Sequence, residues 1–242
     1  MILLEGIIVK SIKYQDSSKI IYVITKNGLM SLLVRGANNI KAKNFSYSQL
    51  ITKITFDYLD GKEQKFNILK QAKIVDNYSI LKSDYMKIQT GFLILEYAYE
   101  FINHIDNKKL FYEFLEYTLD NISKNNELIY SIIFRIKLLY LLGIAPVFNK
   151  CIKCHKDENL IGFSLDKSGM ICKSCYKNDE YLYTGKSLLT MRVLFLTKPQ
   201  DLNNKLFDSL EINFNDINLF LNLYYDKYLG FKSKVDKVIK KM

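Results

Sequence analysis

All four cysteines of this chain fall into two pairs, Cys151-Ile-Lys-Cys154 and Cys172-Lys-Ser-Cys175, separated by 17 residues. No other feature limits the fold as strongly, because C-x2-C-x17-C-x2-C lies inside the spacing window of a four-cysteine zinc site. Two thiolates three residues apart on a tight turn reach one ion at about 2.3 Å, and two such turns brought together complete a tetrahedron. The residues between the pairs supply the means: Gly162-Phe163-Ser164-Leu165 and Met170-Ile171 read as the arms of a hairpin around Asp166-Lys167-Ser168-Gly169. The expected ligands of one structural Zn2+ are therefore Cys151, Cys154, Cys172 and Cys175, in a module at about 149–180. Four closed ligands leave no position for a reactive water. The competing reading is thiols that only pack, or a redox pair. Lys153, Lys156, Lys173 and Lys177 surround the cysteines and favour thiolates. His155, next to Cys154, reads as a surface or supporting group and is left out of the ligand set.

The rest of the chain changes period once. Residues 1–78 read as β structure: Ile7 to Ile12, Ile20 to Thr25, Leu29 to Val34, Leu50 to Tyr58, which alternates from Thr52 onward, and Phe66 toward Val75. Asn27-Gly28 predicts a type I′ hairpin turn, and Asp60-Gly61 a second hairpin. Five short strands with a longer polar break after the third predict an OB-type barrel, although an SH3-like barrel gives a similar string. From about residue 80, Leu81, Tyr85, Ile88, Phe92, Leu95, Tyr99 and Ile102 step along one helical face. Further helices are expected at 110–122, 127–142, about 184–197 with Thr184 as cap, and about 214–229. The predicted class is α+β: an OB-type domain at 1–78, then a mostly helical domain at 79–242 carrying the inserted zinc module.

Charge narrows the partners. Lys+Arg outnumber Asp+Glu by 35 to 25, a net of +10, which favours polyanions such as nucleic acid over generic solubility. The excess sits at the two ends of the chain, and residues 81–150 are neutral. No stretch approaches the roughly 18 apolar residues of a membrane span. Glu5 interrupts the apolar start, so no secretory signal is read there and a cytoplasmic location is expected.

Little points to an enzyme. His104 and His155 are the only histidines, and neither lies in a nucleophile–base pattern. Gly185-Lys186-Ser187 resembles the end of a P-loop, but Glu180 stands where the first glycine belongs, so a helix start is the better reading. Glu96, Glu100, Glu113 and Glu116 lack an accompanying Glu-x-x-His and read as solvated helix faces.

Three local signatures then line up in order. They are Gly6-Ile7-Ile8-Val9-Lys10 with Thr25-Lys26-Asn27-Gly28 and Arg35-Gly36-Ala37; Leu141-Leu142-Gly143-Ile144-Ala145-Pro146 leading into the first cysteine pair; and Tyr228-Leu229-Gly230-Phe231-Lys232-Ser233. Together with the cysteine module they resemble the bacterial recombination mediator family RecO over essentially the whole chain. The resemblance implies an OB domain, a helical domain and an inserted zinc module. It also implies binding and annealing of single- and double-stranded DNA, and action with RecR to load RecA onto DNA coated by single-strand-binding protein. The C-terminal tail of that coating protein would be met by the helical domain. The expected DNA contacts are Lys10, Lys13, Arg35, Lys41 and Lys43 on the barrel, and Lys232 and Lys234 near the C-terminus, with Lys237, Lys240 and Lys241 beyond. Asn38 and Asn39 stand where the family often has a base, which thins the charge of the first patch. Tyr14 and Tyr47 are candidates for stacking on bases, against packing at the barrel rim. The other binding class is an OB–zinc protein acting on RNA, in translation or ribosome assembly.

Overall fold

The computed structural model describes residues 3–61, 66–124, 126–177 and 182–239. They divide into two compact units, 1–131 together with 233–242, and 132–232.

In the first unit five strands close a barrel in the order β1 (Leu4–Tyr14), β2 (Ser18–Thr25), β3 (Gly28–Val34), β5 (Asn67–Asp76), β4 (Lys53–Leu59), and β4 returns to β1. Every pairing is antiparallel except β3 with β5. This five-stranded closed Greek key is of the OB type. Strand alternation sends Ile8, Ile21, Val23, Leu32, Val34, Ile54 and Phe56 inward as one core. Ile8 faces Val23 but Lys10 faces Tyr22, so Val9 is an extra residue. Such a bulge bends a strand and sharpens its twist; β1 pairs with β4 through residues 4–7, before the bulge, and with β2 on both sides of it.

Two local expectations are corrected. The β2–β3 turn is a hairpin but not type I′: Lys26 and Asn27 are its central residues, and only Gly28 takes positive φ, +117°. The Thr25 hydroxyl accepts from the Asn27 N–H at 3.1 Å and donates to the Gly28 carbonyl at 3.0 Å, holding that geometry. The fourth strand starts at Lys53 rather than Leu50, because Ile51 turns to φ +53° and leaves the extended region. Ile51 is fully buried, and Gly91 makes room for it: a Cβ at Gly91 would lie 2.8 Å from Ile51 Cδ1.

A short helix α1 (Lys43–Ser46) sits between β3 and β4. The long helical run expected from Leu81 is broken into α2 (Ser79–Lys82) and α3 (Tyr85–Phe101). Asp84 is the reason: it is extended and its carboxylate accepts from the Lys87 N–H, which starts a new helix. Helix α4 (Lys108–Lys124) follows, and α5 (Glu127–Leu141) crosses the unit boundary, its first turn capped by Asn126. Two glutamates read as solvated have structural partners instead. Glu116 and Glu5 both pair with Lys53, and the Tyr112 hydroxyl donates to Glu5. Glu96 accepts from the Ser233 hydroxyl and from the N–H groups of Lys234 and Val235, at the start of the last helix α9 (Lys234–Ile239).

The second unit contains a three-stranded sheet in the order β6 (Val147–Cys151), β8 (Gly169–Cys172), β7 (Leu160–Ser164). The β7–β8 hairpin is the one expected; the parallel pairing of β6 with β8 is new. Helices α6 (Lys186–Leu196), α7 (Asn204–Asp208) and α8 (Phe214–Leu229) complete the unit. Thr184 does not cap α6; Gly185, at φ +94°, occupies that position. Lys186 pairs with Glu211 and the Ser187 hydroxyl donates to Asp216, as suits a helix start rather than a phosphate loop. Glu180, whose identity set this reading, lies outside the described residues. A chain of rings backs the sheet: Phe163 lies 5.2 Å from both Phe148 and Phe220, and Phe148 lies 5.2 Å from Phe195. Tyr224 donates to the Ile144 carbonyl at 2.8 Å and Tyr228 to the Leu165 carbonyl at 2.6 Å, bolting α8 to the loops around the sheet.

Candidate metal centre and nucleic-acid face

Cys151 ends β6 and Cys172 ends β8, and Cys151 stands opposite Met170, two residues before Cys172, so the parallel pairing brings one cysteine of each pair to the same end of the sheet. Cys154 lies in the turn after β6, and Cys175 ends the 3-10 turn Lys173–Cys175. The two turns share a backbone pattern. The His155 N–H donates to the Cys151 carbonyl at 2.8 Å, and the Tyr176 N–H donates to the Cys172 carbonyl at 3.1 Å. The result is four sulfur atoms all within 4.8 Å of one another. A tetrahedral ion with sulfur arms of about 2.3 Å needs sulfur pairs about 3.8 Å apart; Cys154 and Cys172 are already at 3.6 Å.

The electrostatics of the cluster match a cation. The Ser174 hydroxyl, 3.2 Å from the Cys172 sulfur, leads the effects that bring the Cys172 thiol down to about 6. Burial opposes ionisation of Cys151, but hydrogen bonds from the backbone of Cys154, Cys172 and Lys153 outweigh it and lower that thiol too. Cys175 is pushed the other way, to about 12, first by its hydrogen bond to Cys154 and then by that to Cys172. Crowded thiolates cannot all ionise together without a compensating charge. Four converging sulfur atoms are a suitable donor set for a soft or borderline dication. His155 is exposed, at φ +62°, and is not among the converging ligand atoms.

The expected DNA contacts divide into those brought together and those occupied elsewhere. On the barrel, Lys13 stands opposite Lys19 in the β1–β2 register, and Lys19 stands opposite Val34, next to Arg35. The segment after β3 folds back onto the β1–β2 turn. The Asn38 N–H donates to the Ser17 carbonyl, and its carboxamide donates to the carbonyls of Asp16 and Ser18. Asn38 therefore acts as a staple where a base would have added charge. Lys13, Arg35, Lys41 and Lys43 are exposed along this end of the barrel. The Lys19 ammonium lies 4.7 Å from the Phe45 ring centroid, and that of Lys43 lies 6.0 Å from the Tyr47 ring. Sequence reasoning missed Lys19 and Phe45. The signal for Lys19 was present: a tight turn at Gln15-Asp16-Ser17 dictates that Lys13 faces it.

The remaining candidates have other neighbours. The Lys10 ammonium lies 4.1 Å from the centroid of the Tyr99 ring. Tyr14 packs edge-on against Phe66 at 5.6 Å. Lys232 pairs with Asp226 at 3.0 Å, and Lys234 is exposed at the start of α9. Lys240 and Lys241 lie outside the described residues, as does the side chain of Lys237. No helix among the described residues is long and apolar enough to cross a membrane.

The family model for the N-terminal part of recombination protein O matches residues 1–78, and the model for its C-terminal part matches residues 83–236. The chain belongs to the RecO family. Among curated relatives, the DNA repair protein RecO of Oceanobacillus iheyensis is 27% identical over 242 residues, covering 98% of this chain and 92% of that protein. The DNA repair proteins RecO of Listeria monocytogenes and Bacillus cereus are 24% and 25% identical, again over 98% of this chain and over 93% and 96% of their own lengths. Membership of a recombination and repair family, a five-stranded OB-type barrel followed by helices, and a convergent four-cysteine cluster thus coincide in one chain.

Proposed function

We propose that this chain is a non-enzymatic recombination mediator of the cytoplasm, working at the nucleoid. In this reading it binds single- and double-stranded DNA, anneals complementary strands and, with RecR, helps load RecA onto DNA coated by single-strand-binding protein. Residues 1–78 act as the DNA-binding OB domain. Residues 79–242 form the helical domain that meets the coating protein's C-terminal tail. Within that domain Cys151, Cys154, Cys172 and Cys175 hold one structural Zn2+ in the module at about 149–180.

The observation that carries this reading is the lysine- and ring-bearing end of the barrel, where Lys19 lies by Phe45 and Lys43 by Tyr47, Lys13 stands opposite Lys19, and Arg35 and Lys41 are exposed in the segment after β3. Cations take phosphates irrespective of sequence, and rings accept any base. Annealing needs both properties: two mutually repelling backbones must be neutralised, and base identity must be left for the partner strand to read. Five phosphate contacts give a log–log salt slope near about −3.5 on single strands.

The test is duplex formation between complementary oligonucleotides precoated with single-strand-binding protein. Acceleration at low salt, lost at high salt and in the triple variant Arg35→Ala/Lys41→Ala/Lys43→Ala, is expected. No acceleration by folded, metal-loaded protein, together with preference for an RNA strand of the same sequence, would overturn the mediator reading.

A further inference from the structure

The two cysteine turns share more than their backbone. Each is followed by a ring and then a lysine: His155-Lys156 after Cys154, and Tyr176-Lys177 after Cys175. In both, the N–H of the ring residue closes the turn onto the first cysteine's carbonyl. The sulfurs converge within 4.8 Å, and the Lys153 ammonium bridges from the first turn to the Cys175 carbonyl at 2.9 Å. Each of the two turns that the sulfurs bring together therefore carries a ring followed by a lysine.

The packing of the module does not require those rings. Its ring cluster is built from Phe148, Phe163, Phe195, Phe220 and Tyr224. Tyr176 remains 37% exposed and His155 is exposed. Lys150, Lys156, Lys173 and Lys177 are exposed too, and none forms an ion pair with another described residue.

We propose that the cysteine module is a second contact for single-stranded nucleic acid, in which His155 and Tyr176 stack on bases while Lys156 and Lys177 meet the adjoining phosphates. This rests on the DNA-binding reading above and adds a site to it. Stacking is sequence-tolerant because every base has a π face. Asp157 and Glu158 follow directly on Lys156, so the rings carry most of this contact and charge carries less. The module should thus contribute affinity with little salt dependence, unlike the barrel end.

The chain has no tryptophan, which makes Tyr176→Trp a sole fluorescent reporter at the site. The zinc-loaded full-length variant is titrated with labelled oligo(dT), following total binding by anisotropy and the local environment by tryptophan emission. Emission that changes in step with anisotropy is expected. The double variant His155→Asn/Tyr176→Ala, in which Asn tolerates the left-handed backbone of position 155, should bind about tenfold more weakly at an unchanged salt slope. It should also retain its metal. Binding by anisotropy with constant emission, and parent affinity in the double variant, would overturn the second site and leave the barrel as the contact. Absence of binding by anisotropy would overturn the DNA-binding reading and this site with it.

Discussion

In the barrel, five strands of seven to eleven residues close on one another around a single apolar core. In the cysteine module, three strands of four or five residues form an open sheet, and the side chains that converge at its end are thiols. A closed barrel satisfies its strand edges internally. A sheet of short strands buries too little surface to stand alone and needs a staple. The module has two: the sulfur cluster at one end, and the rings with the Tyr224 and Tyr228 hydroxyls at the other. One region should therefore respond to loss of methylenes and the other to loss of a ligand.

Cys172→Ser is the strongest way to break that contrast. Structural zinc contributes on the order of 10 kcal/mol to folding at such sites, so the variant should lose its metal. The region around 149–180 should exchange its amide hydrogens freely, while protection in the barrel strands stays. Full metal content would defeat the assignment. Phe56→Ala is the counterpart in the barrel. Phe56 is fully buried, and its truncation should cost about 3–5 kcal/mol, read as a lower urea midpoint, at unchanged metal content.

Smaller changes sharpen the barrel side. Lys53 serves two carboxylates, Glu5 and Glu116, of which Glu5 is more than a third exposed. Lys53→Met should therefore cost only about 1–2 kcal/mol. Burial alone would lower the Lys53 pKa, but its hydrogen bonds to Glu116 and then Glu5 outweigh that and hold it above 10.5. The sign follows: a raised lysine pKa stabilises fully below the unfolded value of 10.5 and loses that contribution as pH climbs through the folded value. Unfolding free energies of parent and variant should converge in that alkaline range. A constant gap would sink the electrostatic explanation. The smallest effect is expected for Asn38→Ala, about 1 kcal/mol, seen as faster amide exchange confined to the 35–42 loop.

Much of the fold was legible because its signals are local. The short apolar runs from Ile7 onward, the change of period near residue 80 and the two cysteine pairs can each be read within a dozen residues. The hairpin between the pairs appeared as expected, and the fit of its ends to the cysteines follows from that spacing. What failed was local geometry set by single contacts. The Thr25 hydroxyl decided the turn at Lys26-Asn27, the Ile51 backbone delayed β4, and the Asp84 carboxylate broke a helix that periodicity alone had drawn as continuous.

The sequence by itself determined the five barrel strands to within a few residues, most of the long helices, the net charge and the identity of the candidate metal ligands, because periodicity, composition and spacing are properties of the chain. Only the tertiary structure decided which charged groups serve the fold and which face outward. Glu96 holds the last helix and Asn38 staples a loop, whereas Lys19 meets Phe45 at the barrel's basic end. A side chain's role depends on its partners, and those partners come from register and closure between segments that are distant in sequence.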